Sequence, residues 1–523
     1  MPASLLFRNG TILTMDPARP RVEALAVGGG RILAAGSLTE ARAFAGPGTR
    51  VVDLGRRCLL PAFVDAHTHL THFGLDLSRL DLSQARSLRS ALASLRVRAA
   101  RAKPGAWIVA HSFDETRWPE NRLPTRADLD AVAPNRKVLL RRVDGHSAVV
   151  SSAALVRLDL RGVEGVERKA GVATGVLRED AADRAYEAAR ATREEVDAGL
   201  RRGARRLHAM GVASVAETSE AWEARAYRRH ARSGRPLVRA YLKARESLLD
   251  EALARGTAGD AWIRWGGVKL YLDGSFGSHT AALSEPFADA PDVRGLLTYS
   301  DARLRSIARR AHAGGLQLCM HAIGDRAIDQ ALAAAADAQR SRARADARHR
   351  IEHFLLPSQD AIERARRLGV VASVQPNFLG RWGGKDGLYE RRLGVRRASR
   401  LLPLRDMADA GVRIALGSDG MPYGPLFGIH SAVNARYPRQ RLTVDEALRA
   451  YTADAAWACH AEDRVGSLSP GKLADLVVLS RDPREDPTRI DRLSAVATYL
   501  DGKLVHGAVY RRLSSQRSAR SRP

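Results

Sequence analysis

Five segments of the chain each close an apolar, strand-like run on a side chain able to bind a metal ion. They are Phe63-Val64-Asp65-Ala66-His67-Thr68-His69, Val268-Lys269-Leu270, Cys319-Met320-His321, Ile351-Glu352-His353 and Ala415-Leu416-Gly417-Ser418-Asp419. That donor set suits a two-metal hydrolytic site. His67 and His69 stand two apart on a strand, so both imidazoles project from one face and can share an ion. His321 and His353 would hold the second. Imidazole nitrogen with carboxylate oxygen matches Zn²⁺, with Mn²⁺, Fe²⁺ or Co²⁺ as substitutes. Lys269 fits only when modified. An ammonium repels cations, whereas the carbamate formed with CO₂ is an anion whose two oxygens can bridge two ions. Its apolar surroundings in sequence favour the neutral amine which that reaction needs. Asp419 can ligate one ion, accept a proton from activated water and pass it to a leaving nitrogen. The structural alternative for Asp419 is a helix N-cap.

These residues need a frame that gathers them. Strand-like runs alternate with helical stretches, which argues for a parallel sheet with crossover helices. Candidate strands are 62–66, 212–217, 237–243, 268–272, 316–320, 349–352, 370–374 and 412–417. Eight such strands make a (β/α)8 barrel of the TIM type, whose chemistry lies at the C-terminal strand ends, where all the candidate ligands fall. His321 and His353 are about thirty residues apart, one β/α unit. The gap from His69 to the strand near Val212 is far longer, so 75–185 is an insertion after the first barrel strand, a lid over the active-site face. The barrel spans 59–462.

The ends of the chain read differently. Short strands and turns fill 1–58, with turns expected at Asn9-Gly10 and Gly28-Gly29-Gly30, and 463–512 matches in style, with a turn at Asp501-Gly502. The two ends should pair into one small composite β-sandwich, and 513–523 reads as a disordered basic tail.

Bulk properties narrow the classes. The formal net charge is +26, from 84 Lys+Arg against 58 Asp+Glu. Those charges are spread along the chain and come with no nucleic-acid-binding motif, so no specific nucleic-acid partner is expected. No apolar run spans a membrane, and no signal peptide opens the chain. Cys58, Cys319 and Cys459 are far apart and form no disulfide framework, which fits a cytoplasmic protein.

With the five segments in place, the chain resembles the amidohydrolase superfamily, in the branch that includes N-substituted formamide deformylases and many metal-dependent hydrolases. Further matches to that branch are Asp114-Glu115-Thr116-Arg117-Trp118, Arg142-Val143-Asp144-Gly145-His146, Thr174-Gly175-Val176-Leu177-Arg178-Glu179, His321-Ala322-Ile323-Gly324-Asp325-Arg326 and Arg350-Ile351-Glu352-His353. The run Gly466-Ser467-Leu468-Ser469-Pro470-Gly471-Lys472-Leu473-Ala474-Asp475 marks the return to the sandwich. The resemblance implies a distorted barrel plus sandwich and hydrolysis of an amide- or formamide-type C–N bond in a small organic substrate by a metal-activated hydroxide, with Asp419 as proton shuttle. It implies two divalent ions, with His67, His69 and Asp419 on one, His321 and His353 on the other, and carbamylated Lys269 between them. Deamination, or hydrolysis of a cyclic amide or ester, is the alternative on the same site. A non-catalytic regulatory protein is the alternative from another class, and it would need neither Lys269 nor Asp419. Arg142, Asp144 and His146 are expected to face the pocket. For His146 both a substrate-orienting role and a loop held by Asp144 stay open. Trp118 either caps the pocket or packs within the insertion. Where the family pattern leads one to expect Arg, this chain has His279, a further candidate substrate contact. The oligomeric state is left open by the sequence, although barrels of this kind often form a homodimer.

Overall fold

The computed structural model describes residues 2–143, 145–234, 237–257 and 259–508. Its centre is an eight-stranded parallel sheet made of β1 (Phe63–Thr68), β2 (Val212–Ser219), β3 (Arg239–Arg245), β4 (Ile263–Tyr271), β5 (Gln317–Ala322), β6 (Arg350–His353), β7 (Val371–Val374) and β8 (Ile414–Leu416). These are the eight strands expected from the sequence, in sequential order around the ring. Val, Ile, Leu and Ala dominate them because a parallel sheet under helices is buried on both faces. All eight residues of β2 are buried, for example. The ring is closed between β8 and β1 by separate bonds instead of a ladder. The Asp419 amide donates to His67 O at 2.8 Å, and the Ser418 amide donates to Asp65 Oδ1 at 3.0 Å. Closure therefore sets Asp419 directly beside the His67 segment.

The first βα connection starts with a helix at Leu70–Asp76, immediately after His69. Glu217, at the end of β2, accepts from the Leu70 and Thr71 amides at 2.7 and 3.2 Å, and so satisfies the free N–H groups of that helix. The returning helix, Arg193–His208, opens on a capping box formed by Thr192 and Glu195. The two helices touch at glycines. A Cβ on Gly74 would lie 2.1 Å from Gly199 O. This close approach seats the loop that carries His69.

Between those helices lies the insertion. Its six-stranded sheet runs in the order Val166–Lys169, Val172–Arg178, Ser147–Val150, Lys137–Arg142, Trp107–Phe113, Leu80–Asp81. It has its own core, with Leu95, Ile108, Phe113, Leu129 and Val138 buried together.

Both ends of the chain share a third sheet. Its order is Lys503–Gly507, Ala495–Leu500, Leu476–Leu479, Cys58–Pro61, Leu5–Leu13, Arg21–Gly28, Arg31–Gly36, with Arg50–Asp53 also beside Leu5–Leu13. The sheet curls so that Phe7 meets Tyr499 edge-on, with ring centroids 5.3 Å apart. Arg239, at the foot of β3, donates to Asp475 at 2.6 and 3.0 Å and ties this layer to the barrel. Turns occur at Gly29-Gly30 and Asp501-Gly502, where positive φ is required. The turn expected at Asn9-Gly10 is absent. Leu5–Leu13 is one strand whose register slips between Arg8 and Ile12, where Asn9 takes φ 59°. There the strand exchanges its parallel neighbour Arg50–Asp53 for Cys58–Pro61, so the Asn-Gly pair makes a bulge, not a hairpin. The basic tail at 513–523 and Asp144 lie outside the described residues. Among the described residues no helix is long and apolar enough to cross a membrane.

The foot of the barrel carries an acid-sensitive hydrogen-bond chain. The Leu318 amide donates to His349 Nδ1 at 3.0 Å, so His349 Nε2–H faces His312 Nδ1 at 2.8 Å, and His312 Nε2–H donates to Arg342 O at 2.6 Å. The chain works only with both rings neutral. Burial lowers both pKa values, with His312 and Arg344 adding to the effect on His349. Folded values below the unfolded value of about 6.5 mean that this stabilisation is complete above that pH and is lost as pH falls. A His312→Gln/His349→Gln variant should be less stable at pH 7 but lose less of its stability than wild type between pH 7 and pH 5, measured by urea unfolding. Parallel pH profiles would place the acid sensitivity elsewhere.

Candidate active site

The C-terminal ends of β1, β4, β5, β6 and β8 bring the six candidate ligands around one point. The Asp419 carboxylate lies 3.4 Å from His67 Nε2 and 3.2 Å from His69 Nε2. Lys269 Nζ is 3.4 Å from His67 Nε2. The His353 ring lies between those of His67 and His321, with centroids 5.2 and 4.5 Å away. The candidate ligand atoms of His67, His353 and Asp419 are all within 4.8 Å of one another. Two of these residues hold unusual backbone: φ is 74° at His353 and 53° at Asp419. Such conformations cost stability, and they persist where the surroundings fix them, as at many functional sites.

The electrostatics suit a divalent cation. Burial pushes His67 down to about 4 and His353 to about 3, and lowers His69 and His321 as well, so the imidazoles are neutral donors. For Asp419, burial opposes the charge, but its contacts with the His67 and His69 rings outweigh it and hold the carboxyl well below its usual range. Lys269 is 1% exposed, and burial pushes its amine down to about 7. Neutral nitrogens and an ionised carboxylate are what a bound metal requires.

In three of the imidazoles a second nitrogen also has a fixed partner. His353 Nδ1 is 2.7 Å from Gln375 Oε1, which leaves Nε2 for a metal. His321 Nε2 is 3.1 Å from Gly274 O, which leaves Nδ1. His67 Nδ1 is 2.8 Å from Glu352 Oε2. Glu352, Arg350 and Lys243 fill the barrel beneath the candidate ligands with their side chains fully buried. The sequence reading overlooked Lys243 and Gln375, and it took Arg350 and Glu352 only as family markers. The available signal was a charged residue inside an apolar run bound for a doubly buried strand, as in Tyr241-Leu242-Lys243-Ala244.

A cavity of about 1290 Å³ opens over the centre, reaching His67, His69, Lys269, His321, His353 and Asp419. Arg142 and His146, from the insertion, are on its wall. Both are engaged: Arg142 Nε bonds Glu115 at 3.0 Å, and His146 Nδ1 bonds Glu179 at 3.0 Å. Trp118 is not on that wall. It is 3% exposed, stacks on Phe113 with centroids 5.9 Å apart, and donates to Ala85 O at 3.0 Å. Its place is the core of the insertion, so of its two readings the packed one holds and the pocket contact is corrected. His279 is corrected too. Its Nε2 is tied to Asp289 at 3.0 Å and its ring packs on Phe287 at 4.9 Å, which hold it in its own loop off the cavity wall. In their place, Phe276, Phe378, Trp382 and Tyr389 form an aromatic wall, with Phe378 stacked on the candidate ligand His353 at 5.8 Å and 14°.

The sequence pattern of one family covers the same ground. A model described as the amidohydrolase family matches residues 50–506. The chain belongs to the amidohydrolase family. As such it is a metal-dependent hydrolase acting on carbon–nitrogen bonds. This amidohydrolase is 32% identical to the protein LONG AFTER FAR-RED 3 of Arabidopsis thaliana, over 96% of this chain and 92% of that one. It is 30% identical to an N-substituted formamide deformylase of Arthrobacter pascens, over 96% and 98% of the two chains. Among solved structures it matches an uncharacterised metal-dependent hydrolase from Pyrococcus horikoshii with a TM-score of 0.78 and 28% identity, covering 92% of this chain and 99% of that one.

Proposed function

We propose that this amidohydrolase cleaves the C–N bond of a small organic amide, formamides included, at a two-ion centre. The observation that carries the reading is Lys269, a buried amine beside His67 Nε2 whose pKa is pushed down to about 7. A scaffold has no use for it. A neutral amine adds to CO₂, forming an N–C bond and releasing a proton, and the resulting carbamate supplies two oxygens. His67, His69 and Asp419 would hold one ion, His321 and His353 the other, and Lys269 carbamate would lie between them. The imidazole-rich set matches Zn²⁺ best. Divalent ions in such a site supply a nucleophile at neutral pH by acidifying water, and they polarise a carbonyl oxygen.

The chain supplies the rest. Asp419 is ionised and faces both His67 and His69, so it can take a proton and return it to the leaving nitrogen. Phe378, 4% exposed and stacked on His353, shields that side of the centre from water. The aromatic wall offers apolar area to a substituent of the amide. The formamide deformylase similar to this chain over nearly its full length supports the substrate class.

Metal content tests the reading most directly. Protein purified without chelator should carry about two equivalents of zinc or a similar ion, and its amide hydrolysis should collapse on chelation and return with metal plus bicarbonate. One equivalent would mean a single-ion centre. A value near zero that metal and bicarbonate do not raise would overturn the enzymatic reading.

A further inference from the structure

The ties on the three buried imidazoles differ in one respect. His353 is held by the neutral oxygen of Gln375, and His321 Nε2 meets Gly274 O at 3.1 Å with an Asp273 oxygen further off at 3.4 Å, whereas the close partner of His67 Nδ1 is a carboxylate at 2.8 Å. That carboxylate is itself heavily restrained. Arg350 Nε lies 2.9 Å from Glu352 Oε1 as an ion pair and Arg350 Nη2 donates to Oε2 at 3.0 Å, with Lys243 Nζ 3.3 Å from Oε1. Three charged side chains in the middle of a barrel are costly, because apolar residues of similar volume pack there without desolvating charge. Fold alone does not call for them.

Lys243 Nζ also lies 2.9 Å from His67 Nδ1. That nitrogen carries either a proton or a lone pair, so it cannot serve both neighbours. If Nδ1 accepts from Lys243, the ring proton is on Nε2 and points at Asp419, and Nε2 cannot bind a metal. If Nδ1–H donates to Glu352, Nε2 presents its lone pair to the centre. We propose that Glu352 is the positioning residue for His67: it selects the ligating tautomer, and Arg350 and Lys243 hold its carboxylate so that it neither turns away nor reaches an ion itself. Glu352 acts through His67 and touches no reacting atom. The inference rests on the reading of His67 as a metal ligand.

The test compares two triple variants that carry the same charge. Lys243→Met/Arg350→Met/Glu352→Met removes the acceptor, and Lys243→Met/Arg350→Met/Glu352→Gln keeps one. Zinc affinity is measured by chelator competition, and the fold is checked by circular dichroism. The triple variant containing Glu352→Met should release one of its two ions about 10- to 100-fold more readily than wild type, the range typical for loss of such a partner. The triple variant containing Glu352→Gln should recover most of that affinity, a rescue that a purely structural role would not produce. Equal zinc affinity in the two variants would overturn the proposal. If neither variant folds, the zinc-loaded wild type decides by proton NMR of ¹⁵N-histidine-labelled protein. His67 should give a downfield Nδ1–H signal that disappears in His67→Asn, and a His67 with its proton on Nε2 would overturn the proposal. His67→Asn also separates the two levels of the argument. If it keeps both ions, the ligand reading fails. If it loses an ion while the triple variants bind alike, only the positioning role fails.

Discussion

Asp419→Asn should lower kcat by about 10²- to 10⁴-fold while leaving most of the metal in place, the range set by loss of a general acid–base group. The carboxamide has the shape of the carboxylate and keeps an oxygen for coordination. It loses the ability to accept a proton, which is the function assigned to Asp419. The backbone should tolerate the change. Asp419 sits at φ 53°, a region that Asn enters as readily as Asp, and its amide bond to His67 O does not involve the side chain. KM should change far less than kcat, because the missing step follows binding. Metal analysis, circular dichroism and steady-state kinetics on one preparation check all of this. Loss of metal and fold together would show that Asp419 is a structural residue at the β8–β1 closure.

The comparison of sequence with structure follows the range over which each signal acts. His67 and His69 were legible because a strand puts residues two apart on one face, a purely local rule. His321, His353 and Asp419 were legible because barrels place chemistry at strand ends, and each follows an apolar run. Lys243 looked like an ordinary lysine in such a run. Its significance depends on Glu352 and His67, which are 109 and 176 residues away and meet it only when the barrel closes. Trp118 and His279 show the reverse problem. Their residue types suit a pocket, but their directions are set by Ala85, Phe113, Asp289 and Phe287, partners that no spacing rule reveals. The Asn9-Gly10 pair is a strong local turn signal that the sheet overrode, because Leu5–Leu13 must stay continuous to pair with Arg21–Gly28 along its length.

Lys269→Ala should remove most of the bound metal and with it the activity, and a short carboxylic acid added to the buffer should restore part of both. An ordinary lysine with a pKa near 10.4 is neutral in roughly one copy in a few thousand at pH 7. Burial pushes Lys269 to about 7, so about half the copies are neutral and able to take up CO₂. The charge that results has a place to go. Lys269 Nζ is within 3.4 Å of His67 Nε2 and 4.7 Å above the Tyr271 ring, on the floor of the cavity shared with His321, His353 and Asp419. Truncation to Ala leaves a space of that shape, open to the cavity, so acetate or propionate can enter and present two oxygens where the carbamate would have been. The folded state should survive, since the substitution removes a buried amine that is costly to charge and leaves β4 paired with β3 and β5. Metal content and rate should therefore fall together and recover together as the acid is titrated in. If the Ala variant kept two equivalents of metal and its activity without added acid, the bridge at Lys269 would be wrong, and the two ions would have to be held by the histidines and Asp419 alone.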